Sequence, residues 1–357
     1  MSSIMFVNRS GWMSGAELVL KKLIVLAVSG GHRVTVVCPP GRLADQLPAE
    51  VVHVPIKELD LSGQSGIARV AALFTLMSRW LHAGRVIRRA WTPGTVVIVN
   101  SLNALPAIRA ARIPGGASWL VHDIVADAQQ QMVVRVSRAA LRRVVVVSPP
   151  AAVPLNELGV ESVLVPLGVE IVDQRADLDA GATPIVGMMG VITPWKGHRV
   201  LLEALARVPN VHCEIAGAPH VADEGYAAEL RRRAAQPDLD GRVSFLGFVD
   251  PLPTLSRWTA LISAGTSPEP GPTVALEAMG LGVPVIGTNH GGCAWALRDD
   301  VGVVVPPGDA AALAEAITRV VSDADLAAQM GKKGRERALT DHDARAVYPA
   351  MLAALLN

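Results

Sequence analysis

Two carboxylates, Glu269 and Glu277, lie eight residues apart on either side of a chain break at Pro270-Gly271-Pro272. An apolar, helix-prone run begins at Thr273, and proline suits a first helical turn because no backbone N–H is required there. Glu269 is therefore expected on a loop facing a helix N-terminus, and Glu277 in the first or second turn of that helix. The unpaired N–H groups of a helix end bind anions. A phosphate cradle with a carboxylate on each side predicts a sugar-nucleotide site.

The segment 265–292 resembles the donor-binding signature of retaining GT-B glycosyltransferases of family 4, the glycosyltransferase group 1 family. The family pattern is Glu-Pro-Phe-Gly, a second Glu at the same spacing, then Gly-x-Pro-Val and Gly-Gly. Here Gly271-Pro272 replaces Phe-Gly, whereas Gly282-Val283-Pro284-Val285 and Gly291-Gly292 fit the pattern. A loop, a buried helix and a strand of any α/β protein would be the alternative, but a motif gains weight from its context.

The resemblance implies a role for each part of this segment. Glu269 would hold the sugar hydroxyls as a catalytic residue, and Glu277 would hold the ribose. The Gly247-Phe248 pair resembles the loop that packs on the base, while Trp295 stands where the family has a glutamate after Gly-Gly-x-x. The diphosphate would meet the run Gly271, Pro272, Thr273 and Val274.

A further phosphate-binding segment follows the first apolar run of the second half. Residues 190–197 resemble the family's Gly-Arg-x-x-x-x-Lys-Gly, whose Arg and Lys clamp the diphosphate. Gly190 and Lys196 are retained. Val191 stands in place of the arginine, which removes a bidentate phosphate contact. Lys196 is therefore a candidate diphosphate ligand, with an ordinary surface lysine as the alternative.

Two segments of the first half place polar residues after apolar runs. Residues 11–17 resemble the family's Gly-Gly-Ala-Glu with Ser14 in place of the first glycine, so backbone N–H groups near Ser14 and Gly15 could hold the donor's diphosphate or the acceptor. His122 ends a predicted strand and could donate a hydrogen bond to a sugar hydroxyl or to developing charge. The family often has a histidine there that contacts the donor sugar, so His122 is a catalytic candidate. A helix-entry turn and a structural histidine are the alternatives, and Asp123 could cap a helix or bind the ring nitrogen.

Short β-branched apolar runs alternate with longer helical patterns, which predicts repeated βαβ units. Residues 171–183 lack apolar periodicity and are predicted to link two such series. We therefore predict an α/β protein of two Rossmann-like domains facing a cleft. The resemblance implies that this is the GT-B architecture, with an acceptor-binding domain at 1–170 and a nucleotide-sugar domain at 184–340. In the family, a final helix, here 341–357, crosses back to the first domain. The predicted strands are Ile4–Asn8, Arg33–Cys38, Val51–Val54, Thr95–Asn100, Ser118–His122, Val144–Val147, Val163–Val165, Ile185–Met189, Val211–Ala216, Val243–Leu246, Ala260–Ser263, Val283–Gly287 and Val303–Val305.

The composition of the 357 residues is consistent with this fold. Half of them are hydrophobic and only 4 % are aromatic, which suits parallel sheets covered by helices on both faces. Cys38, Cys213 and Cys293 are far apart and form no Cys-x-x-Cys or Cys/His cluster, so we expect a reducing cytoplasm. No apolar stretch reaches the roughly eighteen residues that a membrane span needs.

A net charge of +1 hides an asymmetry, because residues 1–170 carry 17 Lys/Arg against 10 Asp/Glu. One predicted helical face carries Arg135, Arg138 and Arg142; another carries the stripe Trp80, Gly84, Ile87 and Trp91 beside Arg85, Arg88 and Arg89. Such faces could contact anionic lipid headgroups or an anionic acceptor at the inner face of the membrane, or they could be ordinary solvated faces. The overall pI near 7.8 argues against nucleic acid.

Four Asp-x-Asp pairs raise the question of a metal site: Asp177/Asp179, Asp238/Asp240, Asp323/Asp325 and Asp341/Asp343. None follows an apolar strand directly; they are predicted in the linker, in a loop and at helix starts, where aspartate acts as a cap. We expect neither a metal ion nor another cofactor. Lys196 and helix dipoles would stabilise the leaving diphosphate instead.

Together with these features, the resemblance implies a metal-independent, retaining hexosyltransferase. Its donor would be a nucleotide-diphospho-sugar, with a UDP-sugar favoured over a GDP-sugar. Its acceptor would be a hydroxyl of a glycan, a glycolipid or a secondary metabolite. A sugar-nucleotide epimerase of similar form is one alternative. A non-catalytic binding protein built on the same fold is another, favoured by Val191, Gly271 and Trp295. A dinucleotide dehydrogenase is disfavoured because no Gly-x-Gly-x-x-Gly follows any strand.

Overall fold

The structure is a computed structural model that describes residues 2–60, 67–172 and 183–357, and for residues 67–72 the backbone alone. The chain divides into two compact units, of which unit 1 comprises Met1–Leu167 with Ala346–Asn357 and unit 2 comprises Gly168–Arg345. Most of the predicted linker 171–183 lies outside the described residues, as does the pair Asp177/Asp179.

Unit 1 is built on a seven-stranded parallel sheet with the order β3-β2-β1-β4-β5-β6-β7. The order reverses between β1 and β4, which makes this the topological switch point where open α/β sheets bind ligands. Central strands carry Val, Ile and Met with no exposed side, because helices cover both faces of a parallel sheet. The strands are β1 (Ser3–Val7), β2 (Arg33–Cys38), β3 (Val52–Pro55), β4 (Thr95–Val99), β5 (Ala117–Val121), β6 (Leu141–Val146) and β7 (Val163–Leu164).

The helices of unit 1 connect these strands and bury one apolar stripe each. Helix α1, for example, buries Val19, Leu20, Leu23 and Ile24 and ends at Gly30. The helices are α1 (Gly15–Ser29), α2 (Arg42–Asp45), α3 (Ile67–Ala90), α4 (Leu105–Ala111), α5 (Ala128–Ser137) and α6 (Pro149–Glu157). The final helix α14 (Ala344–Leu356) lies mostly in this unit.

Unit 2 repeats the plan with a six-stranded parallel sheet of order β10-β9-β8-β11-β12-β13. Its switch point lies between β8 and β11. The strands are β8 (Ile185–Met189), β9 (His212–Ala216), β10 (Val243–Gly247), β11 (Ala260–Ser263), β12 (Val285–Thr288) and β13 (Val303–Val305). The helices are α7 (His198–Leu205), α8 (Glu224–Ala234), α9 (Pro251–Ser256), α10 (Thr273–Leu281), α11 (Gly291–Ala296), α12 (Ala310–Ser322) and α13 (Ala324–Asp341).

The predicted fold of two Rossmann-like α/β domains is confirmed. All thirteen predicted strands are present, four with the predicted bounds and the others shifted by at most three residues at an end. Among the described residues, no helix combines the length and the apolar character that crossing a bilayer requires.

Two helix assignments were wrong, and one stripe predicted on a helix surface is partly buried. Arg142 does not share a helical face with Arg135 and Arg138, because α5 ends at Ser137 and Arg142 lies in β6. The stripe with Gly84 and Ile87 faces the protein interior: Ile87 is fully buried, and a Cβ on Gly84 would lie 2.8 Å from Ala110 of α4. Asp341 ends α13 instead of starting a helix.

Candidate active site

Lys196 and Glu269 form an ion pair at the switch point of the sheet in unit 2. Lys196 follows β8 and Glu269 follows β11, so neighbouring strands bring together two residues that are 73 positions apart in the sequence. The Lys196 Nζ lies 2.5 Å from Glu269 Oε2, and the side chains are only 21 % and 17 % exposed. The same ammonium lies 4.5 Å from the centre of the Trp195 ring. Two of the predicted site residues are thus in direct contact.

Glycines allow the loops around this pair to approach each other. Gly197 has φ +85°, and a Cβ there would lie 1.8 Å from the carbonyl oxygen of Ala264, directly after β11. On the other side, the Gly292 N–H donates to the carbonyl oxygen of Glu269 over 2.6 Å. A Cβ on Gly292 would lie 2.1 Å from the carbonyl oxygen of Pro270. The Gly-Gly pair is therefore required for close packing of α11 on the Glu269 loop.

Helix α10 begins where the sequence predicted, at Thr273, with Pro272 as its N-cap. Glu277 lies in its second turn and is half-buried. Thr273 and Val274 are the first two helical residues, so their N–H groups lack partners within the helix. Gly271, Pro272 and these two residues therefore form a helix N-terminus beside Glu269, the type of helix end that suits an anion.

The remaining donor-site candidates of unit 2 also lie at the carboxyl edge of its sheet. Gly190 directly follows β8 with φ +148°, and a Cβ on it would lie 4.0 Å from Lys196 Cε. Gly247 ends β10 with φ +67°. The Phe248 side chain that follows is 91 % exposed, so an apolar ring is available there for stacking on a base.

Trp295 packs inside unit 2. Its ring meets that of His342 edge to face at 5.9 Å, and the Arg298 guanidinium lies 4.7 Å from its centre. Arg298 also donates to the carbonyl oxygen of Trp295 over 2.7 Å. The tryptophan that replaces the family's glutamate thus anchors α11 to the segment between α13 and α14.

In unit 1, His122 is the end of a hydrogen-bonded chain of side chains at the carboxyl edge of the sheet. Asn8 follows β1 and Asn100 follows β4, the two strands of the switch point. The Glu17 carboxylate accepts from Asn8 Nδ2 (3.1 Å), and Asn8 Oδ1 accepts from Asn100 Nδ2 (3.3 Å). Asn100 Oδ1 then faces His122 Nε2 at 3.0 Å. The sequence analysis missed both asparagines, although each ends an apolar strand.

The directions in this chain determine which ring nitrogen of His122 carries the proton. Because Asn100 Nδ2 donates to Asn8 and to the Ala16 carbonyl oxygen, Asn100 Oδ1 can only accept, so His122 Nε2 must donate. Burial lowers the pKa of His122 to about 4, and the ring is neutral at pH 7. Nδ1 is then an acceptor. In this tautomer Nδ1 carries no proton, so it can accept a hydrogen bond but not donate one.

Asp123 fills neither of its suggested roles. Helix α5 is capped by Asp127, whose carboxylate accepts from Gln129 and Gln130 N–H groups, and the ring partner of His122 is Asn100. Burial raises the pKa of Asp123, whereas the charge of Arg9 lowers it.

Ser14 and Gly15 begin α1 in a capping box. The Ser14 N–H donates to Glu17 Oε2 over 3.1 Å, and the Ser14 hydroxyl contacts the same oxygen. The Ser14 donors are therefore engaged within the chain, while Gly15 is exposed at the first helical position. Glu17 connects this helix end to the His122 chain.

The acidic pairs that the structure describes serve local roles. Asp238 binds the Arg233 guanidinium at 2.9 Å, Asp323 caps α13, and Asp341 lies 3.3 Å from Arg298. The Arg233 side chain holds the pKa of Asp238 below its usual range.

Comparison with known proteins finds similar glycosyltransferases. Residues 172–337 match the sequence model of the glycosyl transferases group 1 family. The lipopolysaccharide core biosynthesis glycosyltransferase LpsE of Rhizobium meliloti is 32 % identical over 185 residues, covering 51 % of this chain and 53 % of LpsE. The D-inositol 3-phosphate glycosyltransferase of Mycolicibacterium paratuberculosis is 27 % identical over 296 residues, covering 77 % of this chain and 66 % of that protein. The chain thus spans about half to two thirds of these relatives.

Solved structures share the whole fold. Anabaena HepE in complex with UDP and glucose superposes with a TM-score of 0.82 at 21 % identity, covering 99 % of both chains. Sucrose-phosphate synthase from Thermosynechococcus elongatus gives 0.83 at 20 % identity, covering 98 % of this chain and 97 % of that one. Residues 172–337 thus resemble the glycosyl transferases group 1 family, and the fold of the chain is that of the GT-B glycosyltransferases.

Proposed function

We propose that this protein is a retaining glycosyltransferase that transfers a sugar from a nucleotide-diphospho-sugar to a hydroxyl of a glycan, a glycolipid or a small molecule. We propose a UDP-sugar as the donor in preference to a GDP-sugar. We further propose that it acts in the cytoplasm without a metal ion. Two relatives are named as glycosyltransferases, and the HepE complexes contain UDP, glucose or UDP-glucose.

The observation that carries this proposal is the Lys196–Glu269 pair beside the N-terminus of α10. One ammonium and one helix end offer positive potential for a diphosphate, while Glu269 and Glu277 offer carboxylates for hydroxyl groups. Neutral His122 contributes an acceptor at the edge of unit 1. We assign diphosphate binding to Lys196, Thr273 and Val274, and ribose binding to Glu277.

The chemistry that suits these groups is displacement on one face of the sugar. The bond from the anomeric carbon to the diphosphate breaks as the acceptor oxygen bonds to that carbon on the same face. The acceptor's proton passes to the departing phosphate oxygen. Lys196 and the helix dipole stabilise the charge that develops on the diphosphate.

Calorimetric titration tests the donor assignment. UDP, GDP, ADP and their common sugar conjugates are titrated into the wild type, Lys196→Ala and Glu277→Ala. We expect one nucleotide to bind and both variants to lose at least tenfold in affinity, since a hydrogen bond to a charged group contributes about 1.5–3 kcal/mol. Absence of binding at millimolar concentration in the wild type would favour the non-catalytic alternative.

Product analysis and an activity assay in EDTA test the reaction itself. We expect NMR of the product to show the donor's anomeric configuration, whereas inversion would contradict the displacement proposed above. Activity should persist in EDTA, and its loss with recovery on adding a divalent ion would contradict metal independence. Isomerised donor formed without an acceptor would instead indicate an epimerase.

A further inference from the structure

Unit 1 contains a large groove that the sugar-nucleotide chemistry does not use. It has a volume of about 2260 Å³ and is lined by residues of α3, α4 and α5. Its lining combines apolar side chains with an unusual number of arginines. A concave surface of this kind between helices is a common form of ligand site.

The apolar part of the lining is exposed on two facing helices. Met77 and Leu81 of α3 are 52 % and 49 % exposed, and Met132 and Val136 of α5 are 55 % and 51 % exposed. Each pair is spaced four residues apart, so both side chains of a pair lie on one helical face. Single exposed apolar residues are normal, but a contiguous patch marks a binding surface.

The basic part of the lining comes from the end of α3 and from α4. Arg85, Arg88, Arg89, Arg109 and Arg112 line the groove and are exposed. In the part of the chain that the structure describes, none of these arginines forms an ion pair with a carboxylate. Among other arginines of the described chain, Arg9, Arg233 and Arg257 are each paired with an acid. The groove therefore carries uncompensated positive charge at one end.

The topology gives the groove a direction. In a parallel sheet, each helix that follows a strand starts at the carboxyl edge and runs back toward the other edge. The start of the groove at that edge is polar: Asp60 accepts from Arg9 Nη1 (3.0 Å) and from Asn103 Nδ2 (2.6 Å). His122 and Asn100 lie at the same edge. Along α3 the lining then becomes apolar at Met77 and Leu81, and basic from Arg85 onward.

We propose that this groove binds a single elongated amphiphile with a hydroxyl at one end, an apolar body and an anionic group at the other. The anion meets the arginines, the apolar body lies between α3 and α5, and the hydroxyl lies at the carboxyl edge near Asp60. This proposal rests on the proposed function, since it makes the amphiphile the acceptor. From Leu73 to Arg89 the helical rise gives a length of about 24 Å, comparable with an extended sixteen-carbon chain.

The binding test uses 16-hydroxyhexadecanoate below its micellar concentration, without any donor. Its affinity is measured by calorimetry and compared with that of 1,16-hexadecanediol, which lacks the anion. We expect Arg85→Gln/Arg89→Gln to weaken binding of the carboxylate about tenfold or more, because a charge-assisted hydrogen bond is lost, and to change binding of the diol less than twofold. Met77→Ser/Leu81→Ser should weaken binding of both the carboxylate and the diol.

Matched controls lie on the same unit outside the groove. Leu18 of α1 is 52 % exposed and Arg33 begins β2 in an exposed position; neither lines the groove. Leu18→Ser and Arg33→Gln should bind both probes as the wild type does. Equal loss in the controls, equal affinity for acid and diol, or no binding at all would overturn the proposal. So would binding of inorganic phosphate as tight as that of the probe, or binding seen only with phosphatidylglycerol vesicles.

Transfer of sugar to the bound probe is assayed separately with the donor found by titration. The probe could bind with the expected variant pattern while no sugar is transferred to it or to any other hydroxyl compound. That result would support the groove as a binding site and contradict the proposed function. Transfer of sugar to other hydroxyl compounds without probe binding would support the proposed function and contradict the proposal that the groove binds the amphiphile.

Discussion

Glu269 has two effects of opposite sign on the proposed reaction. Its carboxylate neutralises Lys196 at 2.5 Å and also places negative charge where a diphosphate would bind. In Glu269→Gln the amide can still bind a sugar hydroxyl, but Lys196 is released and the repulsion is removed. We predict that UDP binds several-fold more tightly, since partly exposed pairs are worth up to about 1 kcal/mol, while turnover falls.

The measurement is calorimetry with UDP beside steady-state kinetics. Glu277→Gln is the comparison variant: we assign Glu277 to the ribose, so the loss of its charge should weaken UDP binding. Weaker UDP binding in Glu269→Gln would show that Glu269 itself contributes to nucleotide affinity.

The hydrogen-bond chain through Asn100 predicts the tautomer of His122. In protein with ¹⁵N-labelled histidine at pH 7, the Nε2 resonance should be that of a protonated nitrogen and Nδ1 that of an unprotonated one, with a pKa near 4. Asn100→Asp still accepts from Nε2 but adds a negative charge, so the pKa of His122 should rise. Asn100→Ala should leave the tautomer unfixed. A wild-type spectrum with the proton on Nδ1 would contradict the assigned chain.

His198 should make the protein sensitive to acid. It is fully buried at the start of α7, and burial, together with the charge of Lys196, lowers its pKa to about 4. The unfolded chain binds the proton near pH 6.5, so the stability that neutral His198 provides is fully present above that pH and is lost as the pH falls toward 4. The expected loss is roughly 3 kcal/mol.

Urea unfolding at several pH values checks this. His198→Leu should reduce the decline between pH 6.5 and 4, whatever its stability at pH 8, while His122, whose pKa is also lowered to about 4, keeps part of it. An unchanged slope would mean that His198 is not the group responsible.

At the scale of elements, the turn from β8 into α7 depends on Gly197. Alanine there would adopt φ +85° and place its Cβ 1.8 Å from the backbone of Ala264. The conformation costs about 1–2 kcal/mol and the overlap about 1–3 kcal/mol more. We predict a loss of roughly 2–5 kcal/mol and a displaced Lys196.

Gly308 is the matched control for this substitution. It has φ +77°, but no atom of the described residues lies within 4 Å of the position that an alanine Cβ would take. Gly308→Ala should therefore cost only about 1–2 kcal/mol. Chemical denaturation of both variants measures the difference. Equal losses would mean that close packing on Ala264 contributes nothing.

The strands and the Lys196–Glu269 region could be predicted from the sequence because their signals are local. Runs such as Ile185–Met189 and Ala260–Ser263 are apolar, β-branched and bounded by turn residues, and their bounds agree with the structure. Each motif lies at the end of such a run, and parallel strands bring those ends to one edge. The contact between Lys196 and Glu269 follows from that rule.

Features that depend on pairing between distant elements could not be predicted. The Asn100–His122 contact exists because β4 and β5 are neighbours in the sheet. A local sequence pattern does not indicate which strands pair. Helix α3 carries apolar residues on more than one face, so periodicity alone could not tell the buried Ile87 from the exposed Met77. Arg142 was misassigned because the short turn after Ser137 has no glycine or proline to signal it.

At the scale of the molecule, both units follow the same plan. In each, the first strand lies beside a later one at a switch point, β1 beside β4 and β8 beside β11, and polar side chains follow those strands. Unit 1 contributes a neutral histidine and a groove suited to an acceptor, whereas unit 2 contributes an ammonium and a helix end suited to a diphosphate. This division of charge between two similar sheets matches the proposed division between acceptor and donor.

The return of the chain to unit 1 gives a prediction about how the two units unfold. Met351 of α14 is fully buried, and the carbonyl oxygen of Leu355 accepts from the Ser118 hydroxyl of β5 over 2.6 Å. Met351→Ala should therefore cost unit 1 about 2–5 kcal/mol. Leu339 of α13, 45 % exposed in unit 2, is the control, and Leu339→Ala should cost at most about 0.5 kcal/mol. Hydrogen exchange followed by mass spectrometry should show faster exchange in β5 and β6 of Met351→Ala and unchanged exchange in β8 and β11. Equal acceleration in both sheets would mean that the two units open together, and that the last helix stabilises the whole chain instead of unit 1.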